Sequence, residues 1–276
     1  MKKVLLFIIP LLIGCTNGTK MTDDIETNDA DVPVLPAVVD NEKMFKKESV
    51  IDVPISGSLE DYSKFRHKVK IRGGRYVQNR KGEDSSALFL NGVNQHIIVP
   101  YNPELYSKNY TLSIWVNIKE FPDTSKGYSH VFGCFDHHVG EWGTQIWIGT
   151  EEIGGSIGGG KNDHLLLSSS SIDTCGVKVG EWHHLALIHD EQTHDFKIYI
   201  DGVPGEVPNH YGSGGAFEGD DNVQWKKAFQ WAIGDIPSYI YHANPVSRSF
   251  TGSVDEIKLF NYVLSNEEIL ALALDK

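Results

Sequence analysis

The most informative part of the sequence is Gly180-Glu181-Trp182-His183-His184-Leu185-Ala186-Leu187-Ile188, followed shortly by Ile198-Tyr199-Ile200-Asp201-Gly202. Phe196, Ile198 and Ile200 stand at every second position, which is the period of a β-strand with one buried face. Asp-Gly then supplies two residues that tolerate positive φ in a tight hairpin turn. We expect the partner face on the preceding strand to consist of Trp182, His184, Ala186 and Ile188. These runs predict paired strands that build the core.

Short alternating runs continue on both sides of this segment. Tyr110, Leu112, Ile114, Val116 and Ile118 again occupy every second position. Further strands are predicted at 87–91, 96–100, 130–135, 144–148, 164–168, 229–234 and 252–260. One helix is expected last, because Ser265 and Glu268 have the spacing of a capping box and an apolar stripe follows them. The pattern is typical of an all-β sandwich or barrel.

Four segments, in this order, resemble the LamG-like domains of bacterial surface proteins: 87–100, 110–116, the run 180–202 quoted above, and 250–265. The resemblance extends over about residues 50 to 276. It implies an all-β fold, namely a concanavalin A-like (LamG-like) jelly-roll β-sandwich with one short C-terminal helix. That fold carries lectins, adhesion modules, lyases and hydrolases, so the function has to be argued from a site.

The N-terminus has the features of an export signal. Lys2 and Lys3 precede an apolar run at 4–13, which is too short to span a bilayer, and Gly14-Cys15 follows it. The segment 12–15 resembles the lipobox of bacterial lipoproteins, which implies lipid modification of Cys15; a plain secretory signal is the alternative. We therefore expect a lipid-anchored cell-envelope protein, at the outer membrane of a Gram-negative bacterium and facing the periplasm or the surface, with the lipid as its only membrane attachment.

Composition divides the chain into three parts. Residues 1–15 form the predicted signal peptide with its lipobox, and residues 16–48, rich in Asp, Glu, Asn and Thr, are predicted to be a disordered tether. A flexible tether of that length holds a domain on the order of 30 Å from its anchor. Residues 49–276 form the LamG-like β-sandwich domain, since one sandwich fills this length.

The charge balance excludes one class of partner and leaves another open. A net charge of −12 argues against nucleic-acid binding, which needs an excess of clustered cations. A local basic stretch nevertheless occurs, and it comprises Lys64, Arg66, His67, Lys68, Lys70, Arg72 and Arg75. Its charges alternate with other residues, which indicates one solvated face of a strand; a site for a charged ligand is the alternative.

A calcium site is implied by the resemblance, because related domains hold a structural Ca²⁺ between the loop after the opening strand and the closing strand. The matching positions are Asn91, Gly92, Asn94 and Asp255, whose oxygens suit a hard cation. Asp255 alone is charged, which lowers the expected affinity. The alternative is a hairpin turn at Asn91-Gly92 and a hydrogen-bonded structural acid at Asp255. A loop at 219–222 is a second oxygen-rich candidate.

Cysteines and histidines offer further candidates. Cys134 and Cys175 form either a disulfide or two small buried thiols. His137 and His138 beside Asp136 suggest zinc, but neighbouring strand residues point to opposite faces and no third ligand has the required spacing.

No catalytic residue is predicted. Glycoside hydrolases of this fold need paired carboxylates on one strand face, and the Glu-x-Asp-x-x-Glu run of the family's retaining glucanases is absent from the sequence. Glu151 and Glu152 are neighbours, and Glu218, Asp220 and Asp221 lie in a glycine-rich stretch. A lyase would need a Tyr and His base pair with a charge neutraliser.

Aromatic residues in long inter-strand segments indicate a binding site, because sugar rings stack their C–H faces on aromatic rings. The predicted carbohydrate-binding residues are Trp142, Tyr211, Trp225, Tyr239 and Tyr241, whereas Trp147 and Trp231 are expected in the core. The leading hypothesis is a non-catalytic module that binds a glycan or a glycosylated surface. Its alternatives are a protein–protein adhesion or assembly module, and a glycan lyase or glycoside hydrolase.

Overall fold

The computed structural model describes residues 45, 48–123, 127–134, 143–158, 165–193, 195–205, 209–211, 230–235 and 249–275. These residues form two antiparallel sheets of eight strands each. The fold therefore confirms the predicted all-β class.

The first sheet has the strand order β13-β12-β11-β6-β16-β4-β3, and β1 pairs with β16 beside this path. Its strands are β1 (Ile51–Val53), β3 (Arg75–Val77), β4 (Ala87–Asn91), β6 (Tyr110–Ile118), β11 (Trp182–Asp190), β12 (Asp195–Ile200), β13 (Val203–Pro204) and β16 (Thr251–Phe260).

The second sheet has the strand order β14-β10-β9-β8-β7-β15-β5-β2. Its strands are β2 (Lys70–Arg72), β5 (His96–Val99), β7 (Tyr128–Gly133), β8 (Gly143–Gly149), β9 (Glu152–Gly158), β10 (Leu165–Ser171), β14 (Asn209–Tyr211) and β15 (Trp231–Ile233). A 3-10 turn at Pro103–Leu105 and short helices at Ile172–Cys175 and Asn266–Leu274 complete the described elements.

The core fills the space between the two sheets. Alternate residues of β6, from Tyr110 to Ile118, contribute one layer, as their spacing predicted. The facing layer comes from the second sheet and includes Ile97, Phe132, Ile146, Ile153 and Trp231. Trp231 is thus a core residue, as expected.

The turn after β12 is confirmed, but the predicted face of β11 was wrong. Asp201 and Gly202 have φ of 50° and 80°, and they join β12 to β13. In the register of β11 on β12, however, Leu185 lies opposite Ile200 and Leu187 opposite Ile198, so these two leucines form the core face.

The C-terminal helix explains that error. Ala186 and Ile188, on the opposite side of β11, pack beneath Leu264 and Ile269 and form a second apolar cluster outside the first sheet. Because β11 is buried on both faces, both of its alternating sets are apolar, and periodicity alone does not distinguish them.

The capping box of this helix is confirmed. The backbone N–H of Glu268 donates to Ser265 Oγ (3.2 Å), and the N–H of Ser265 donates to the Glu268 carboxylate (2.7 Å). No helix in the described part of the chain is long and apolar enough to cross a membrane.

Candidate functional site

Most of the aromatic residues predicted to bind carbohydrate lie outside the described residues. This applies to Trp142, Trp225, Tyr239, Tyr241 and the side chain of Tyr211, whose backbone forms part of β14. His137, His138, Glu218, Asp220, Asp221 and the lipidation candidate Cys15 are outside as well.

The places of the five aromatic residues along the chain are given by the strands that flank them. Trp142 directly precedes β8, and Tyr211 ends β14. Trp225 belongs to the sequence between β14 and β15, while Tyr239 and Tyr241 belong to the sequence between β15 of the second sheet and β16 of the first.

The outer face of the second sheet, which points away from the core, carries a hydrogen-bonded group that we call the Gln145 network: Tyr128, His130, Gln145 and Ser156. The Gln145 amide contacts His130 Nδ1 (3.0 Å), Ser156 Oγ (3.1 Å) and the Tyr128 hydroxyl (3.4 Å). Ile146 and Ile148, which alternate with Gln145 along β8, belong to the core, and this shows that Gln145 faces outward.

Trp147 lies beside this network on the same outer face. Its ring is 5.8 Å from that of Tyr128, and a Cβ added to Gly154 would come within 2.6 Å of the indole. The glycine therefore lets the indole lie close against β9. Trp147 was expected in the core; it is buried, at 8 % exposure, but on the side away from the core.

Burial fixes the protonation of the network. His130 is fully buried, and this loss of hydration lowers its pKa to about 4, so the imidazole is neutral at pH 7. A neutral imidazole has one N–H, and Nε2 lies 3.3 Å from the Ala232 carbonyl oxygen. The shorter contact joins Nδ1 to the Gln145 amide oxygen, so the Nδ1–H donates to that oxygen, while the amide nitrogen of Gln145 donates to the hydroxyls of Ser156 and Tyr128.

Strand pairing extends this face to the edge of the sheet. Gln145 lies opposite Gly133, Gly133 opposite Ala232, Ala232 opposite Ile98, and Ile98 opposite Lys70 of the edge strand β2. One line across the sheet thus connects the Gln145 network with the basic stretch noted in the sequence.

Sequence reasoning missed His130, Gln145 and Ser156 because they lie on three different strands. The sequence did carry a signal for Gln145. Gln145 and Trp147 alternate with Ile146 and Ile148, and this alternation indicates that Gln145 and Trp147 lie on the outer face of their strand. Pairing of β7, β8 and β9 is what brings the three polar side chains together.

An open groove lies on the first sheet. Its volume is about 730 Å³. The groove is lined by side chains of mixed charge and by aromatic rings, among them Asp52, Tyr62, Lys64, Arg66, Lys258 and Phe260. Asp52 and Lys258 pair with each other at 2.7 Å, so this pair is not free for a ligand.

The four predicted calcium ligands do not form one set. Gly92 has φ of 72° and Asn94 of 52°, and with Asn91 they make the turn between β4 and β5. Thr251 lies opposite Asn91, so Asp255 is four residues further along β16, about 13 Å away at the usual rise of a strand. The alternative interpretation, a turn at Asn91-Gly92 and a structural acid at Asp255, describes these residues. Calcium binding itself stays a prediction.

Asp255 is part of a buried charge cluster. The Arg80 guanidinium lies 3.0 Å from Asp255, 2.6 Å from Glu256 and 3.4 Å from Asp275, and it stacks 4.4 Å from the Trp115 ring. Burial, and then the neighbouring Glu256 carboxylate, raises the pKa of Asp255 to about 7. Two cations, Arg80 and Lys81, face three carboxylates, so retention of a proton by Asp255 relieves the remaining repulsion.

Both described cysteines are free thiols. Cys134 is buried, which raises its pKa to about 12, and Cys175 is partly buried. Of the two alternatives for Cys134 and Cys175, a disulfide or two thiols, the structure has two free thiols.

Candidate catalytic and metal groups remain dispersed in the described part of the chain. Glu151 and Glu152 are exposed where β8 turns into β9. Within that part, no three His, Cys, Asp or Glu side chains are grouped so as to hold a metal ion.

Two antiparallel sheets stacked around one core, with a short C-terminal helix, define a jelly-roll sandwich of the concanavalin A-like type. The sequence profile of the Laminin_G_3 family, described as "Concanavalin A-like lectin/glucanases superfamily", matches residues 91–270. The chain therefore belongs to this superfamily.

Solved structures with a similar fold include three toxin domains. The receptor binding domain of botulinum neurotoxin D has 16 % identity and a TM-score of 0.58, covering 82 % of this chain and 52 % of that one. The botulinum neurotoxin type G receptor binding domain has 11 % identity and a TM-score of 0.55, covering 82 % and 51 %. The binding domain of Paraclostridial Mosquitocidal Protein 1 has 15 % identity and a TM-score of 0.55, again covering 82 % and 51 %. The chain spans about half the length of these structures, and the likeness concerns the fold alone.

Proposed function

We propose that the protein is a non-catalytic binding module that holds a glycan over the outer face of the second sheet. One observation carries the proposal: the Gln145 network and the aromatic rings of Tyr128 and Trp147 lie together on the outer face of the second sheet. The network supplies a rigid polar floor. The rings of Trp142, Tyr211, Trp225, Tyr239 and Tyr241 supply the surfaces on which sugars stack.

The chemistry of this face suits sugars because binding sites combine aromatic surface with a few fixed polar groups. Tyr128 is half-buried and carries a hydroxyl beside the indole of Trp147. Gln145 and Ser156 are almost fully buried and hold that hydroxyl in place through the shared amide.

The same geometry favours binding over catalysis. None of the four members of the Gln145 network is a carboxylate, whereas glycoside hydrolysis uses a pair of them. The network does contain a Tyr and a His, the pair that a lyase would use, but a pKa of about 4 makes His130 a weak base at neutral pH.

The experiment is a glycan-array screen of the purified protein, with and without calcium, followed by titration of the best ligand. We expect Trp142→Ala and Trp225→Ala each to weaken binding by about tenfold or more, since stacking on an aromatic ring contributes more than 1 kcal/mol. Tyr76→Ala is the matched control, because Tyr76 is an exposed aromatic residue on the edge of the first sheet.

The outcomes separate the three hypotheses. Saturable binding lost in the two tryptophan variants but kept in Tyr76→Ala supports the glycan module. Release of shortened sugars by the wild-type protein would establish an enzyme instead. An array without any bound glycan would contradict the proposal for those sugars and favour protein–protein adhesion.

Lipid attachment at Cys15 forms part of the same proposal, since an anchored module presents its binding face at the cell envelope. We expect the wild-type protein to fractionate with outer membranes and Cys15→Ser to become soluble, provided that both are exported. Equal fractionation of the two would contradict a lipid anchor at this residue.

A further inference from the structure

The basic stretch contains a group of exposed cations. Residues 62–82 contain no Asp or Glu, but they hold eight of the 25 Lys and Arg residues of a chain with net charge −12: Lys64, Arg66, Lys68, Lys70, Arg72, Arg75, Arg80 and Lys81. We call three of these the basic strip: Lys68, Lys70 and Arg72. All three are exposed and stand at every second position, whereas Lys64 and Arg66 line the groove on the first sheet.

Within the described residues, no carboxylate lies at ion-pair distance from Lys68, Lys70 or Arg72, the three members of the basic strip. Other exposed lysines differ in this respect, since Lys178 and Lys197 each pair with a carboxylate.

The position of the strip connects it with the proposed glycan face. Lys70 and Arg72 lie on β2, at the edge of the second sheet, opposite Ile98 and His96. Ile97 and Val99 belong to the core, so Ile98, His96 and their two basic neighbours are on the outer face. Burial, and then the charge of Arg72, lowers the pKa of His96 to about 4, which is consistent with a cation close to this face.

The dimensions indicate an extended ligand. Gln145 and Lys70 are four strands apart, or about 19 Å at the usual spacing between strands. Successive basic residues in extended chain are about 7 Å apart. A ligand that covers both the Gln145 network and the strip is therefore a polymer of several sugars, with negative groups repeated along it.

We propose that the basic strip binds the carboxylate or sulfate groups of an acidic polysaccharide that crosses the outer face of the second sheet. This inference rests on the proposed glycan-binding function and specifies its ligand class. A neutral sugar gains nothing from unpaired cations, whereas complementary charge gives selectivity and faster association with a polyanion.

The test measures binding of the purified protein to alginate, which is carboxylated, to dextran sulfate, and to uncharged dextran. The strip variant is Lys68→Gln, Lys70→Gln and Arg72→Gln together. Its matched control, Lys108→Gln with Lys178→Gln and Lys197→Gln, removes the same charge from exposed, ion-paired positions. We expect the strip variant to weaken binding to at least one acidic polymer by about tenfold or more, and the control to change it by less than about twofold.

Salt and a neutral ligand complete the design. Binding to the acidic polymer should weaken as salt rises, because ions screen exposed charges. A neutral glycan found on the array should bind the strip variant and the wild type equally well. Loss of that binding in Trp225→Ala alone would report on the glycan face separately from the strip.

Two results would overturn the inference. Equal weakening in the strip and control variants would show that overall charge, and not this surface, governs binding. Binding of the wild type to phosphatidylglycerol vesicles, reduced in the strip variant, without binding to either acidic polymer would assign the strip to an anionic lipid surface.

Discussion

Gln145 illustrates how a single amide can organise the outer face of a sheet. It contacts an imidazole and two hydroxyls on two neighbouring strands, and its side chain is 2 % exposed. An amide can donate and accept at once, so it satisfies a neutral histidine and a hydroxyl together. A carboxylate at the same place would only accept, and its negative charge would favour a protonated imidazole.

Gln145→Glu should therefore raise the pKa of His130 from about 4 towards its ordinary value. A carboxylate beside Nδ1 favours the charged imidazolium, which opposes the effect of burial. The pKa can be followed by NMR titration of the histidine ring resonances. Gln145→Met, of similar size but uncharged, serves as the control; a pKa that rises equally in both variants would show that loosened packing is the cause.

Asp255 makes stability depend on pH in a defined direction. Its pKa in the folded protein is about 7, above the value of 3.8 expected in the unfolded chain, so the folded state holds a proton that the unfolded state releases. The resulting stabilisation is complete below pH 4 and is lost as pH rises through 7. His96, His130 and His184, whose pKa values are lowered by burial, have the opposite dependence, mainly below pH 6.5.

Between pH 6.5 and 8 we expect the free energy of unfolding of the wild type to fall by about 1 kcal/mol from this carboxyl alone. Asp255→Asn should lack that decrease. Urea unfolding of the two proteins at several pH values measures the difference. Parallel pH dependence in both would mean that Asp255 titrates as an ordinary carboxyl.

At the level of elements, the sequence predicted the features that depend on residues close together along the chain. Strand alternation located β6, the Asp201-Gly202 dipeptide located a turn, and Ser265 with Glu268 located a helix start. β9 was missed because its Glu-Ile-Gly-Gly-Ser-Ile-Gly sequence has the glycines of a turn. Those glycines are required by packing: a Cβ on Gly155 would overlap the Leu187 side chain of the first sheet, and no local pattern shows this.

The capping box should contribute measurably to stability. Ser265→Ala removes the hydroxyl that accepts from the Glu268 N–H, and we expect the free energy of unfolding to fall by about 1 kcal/mol. Ser265→Thr keeps an accepting hydroxyl and should lose clearly less. Urea unfolding compares the three proteins, and identical loss in both variants would mean that the hydroxyl does not cap the helix.

At the level of the whole molecule, the two outer faces of the sandwich differ. The C-terminal helix covers part of the first sheet with apolar side chains, while the second sheet places a polar network outside. The sequence predicted which aromatic residues to consider, but it did not predict the Gln145 network, which is assembled from three strands. It also grouped Asp255 with Asn91, because strand register, which separates them, is a property of the assembled sheet.

The two thiols should report on global and local opening separately. Cys134 is buried in the core, whereas Cys175 lies in a short helix with its side chain partly exposed. Under native conditions iodoacetamide should modify Cys175 faster, and Cys134 should react only as urea unfolds the sandwich. Mass spectrometry of timed samples measures both rates; two unreactive cysteines that become reactive after reduction would instead reveal a disulfide.

The edge strand β2 has a consequence for self-association. Its outward side chains, Lys70 and Arg72, flank Ile71, which is 45 % exposed, and among the described residues no further strand pairs with its outer edge. Charged side chains on such an edge keep another chain from adding a strand of its own. The cations proposed to hold a polyanion would thus also keep copies of this protein from stacking into aggregates, and a concentrated solution of the protein would depend on them to stay dispersed.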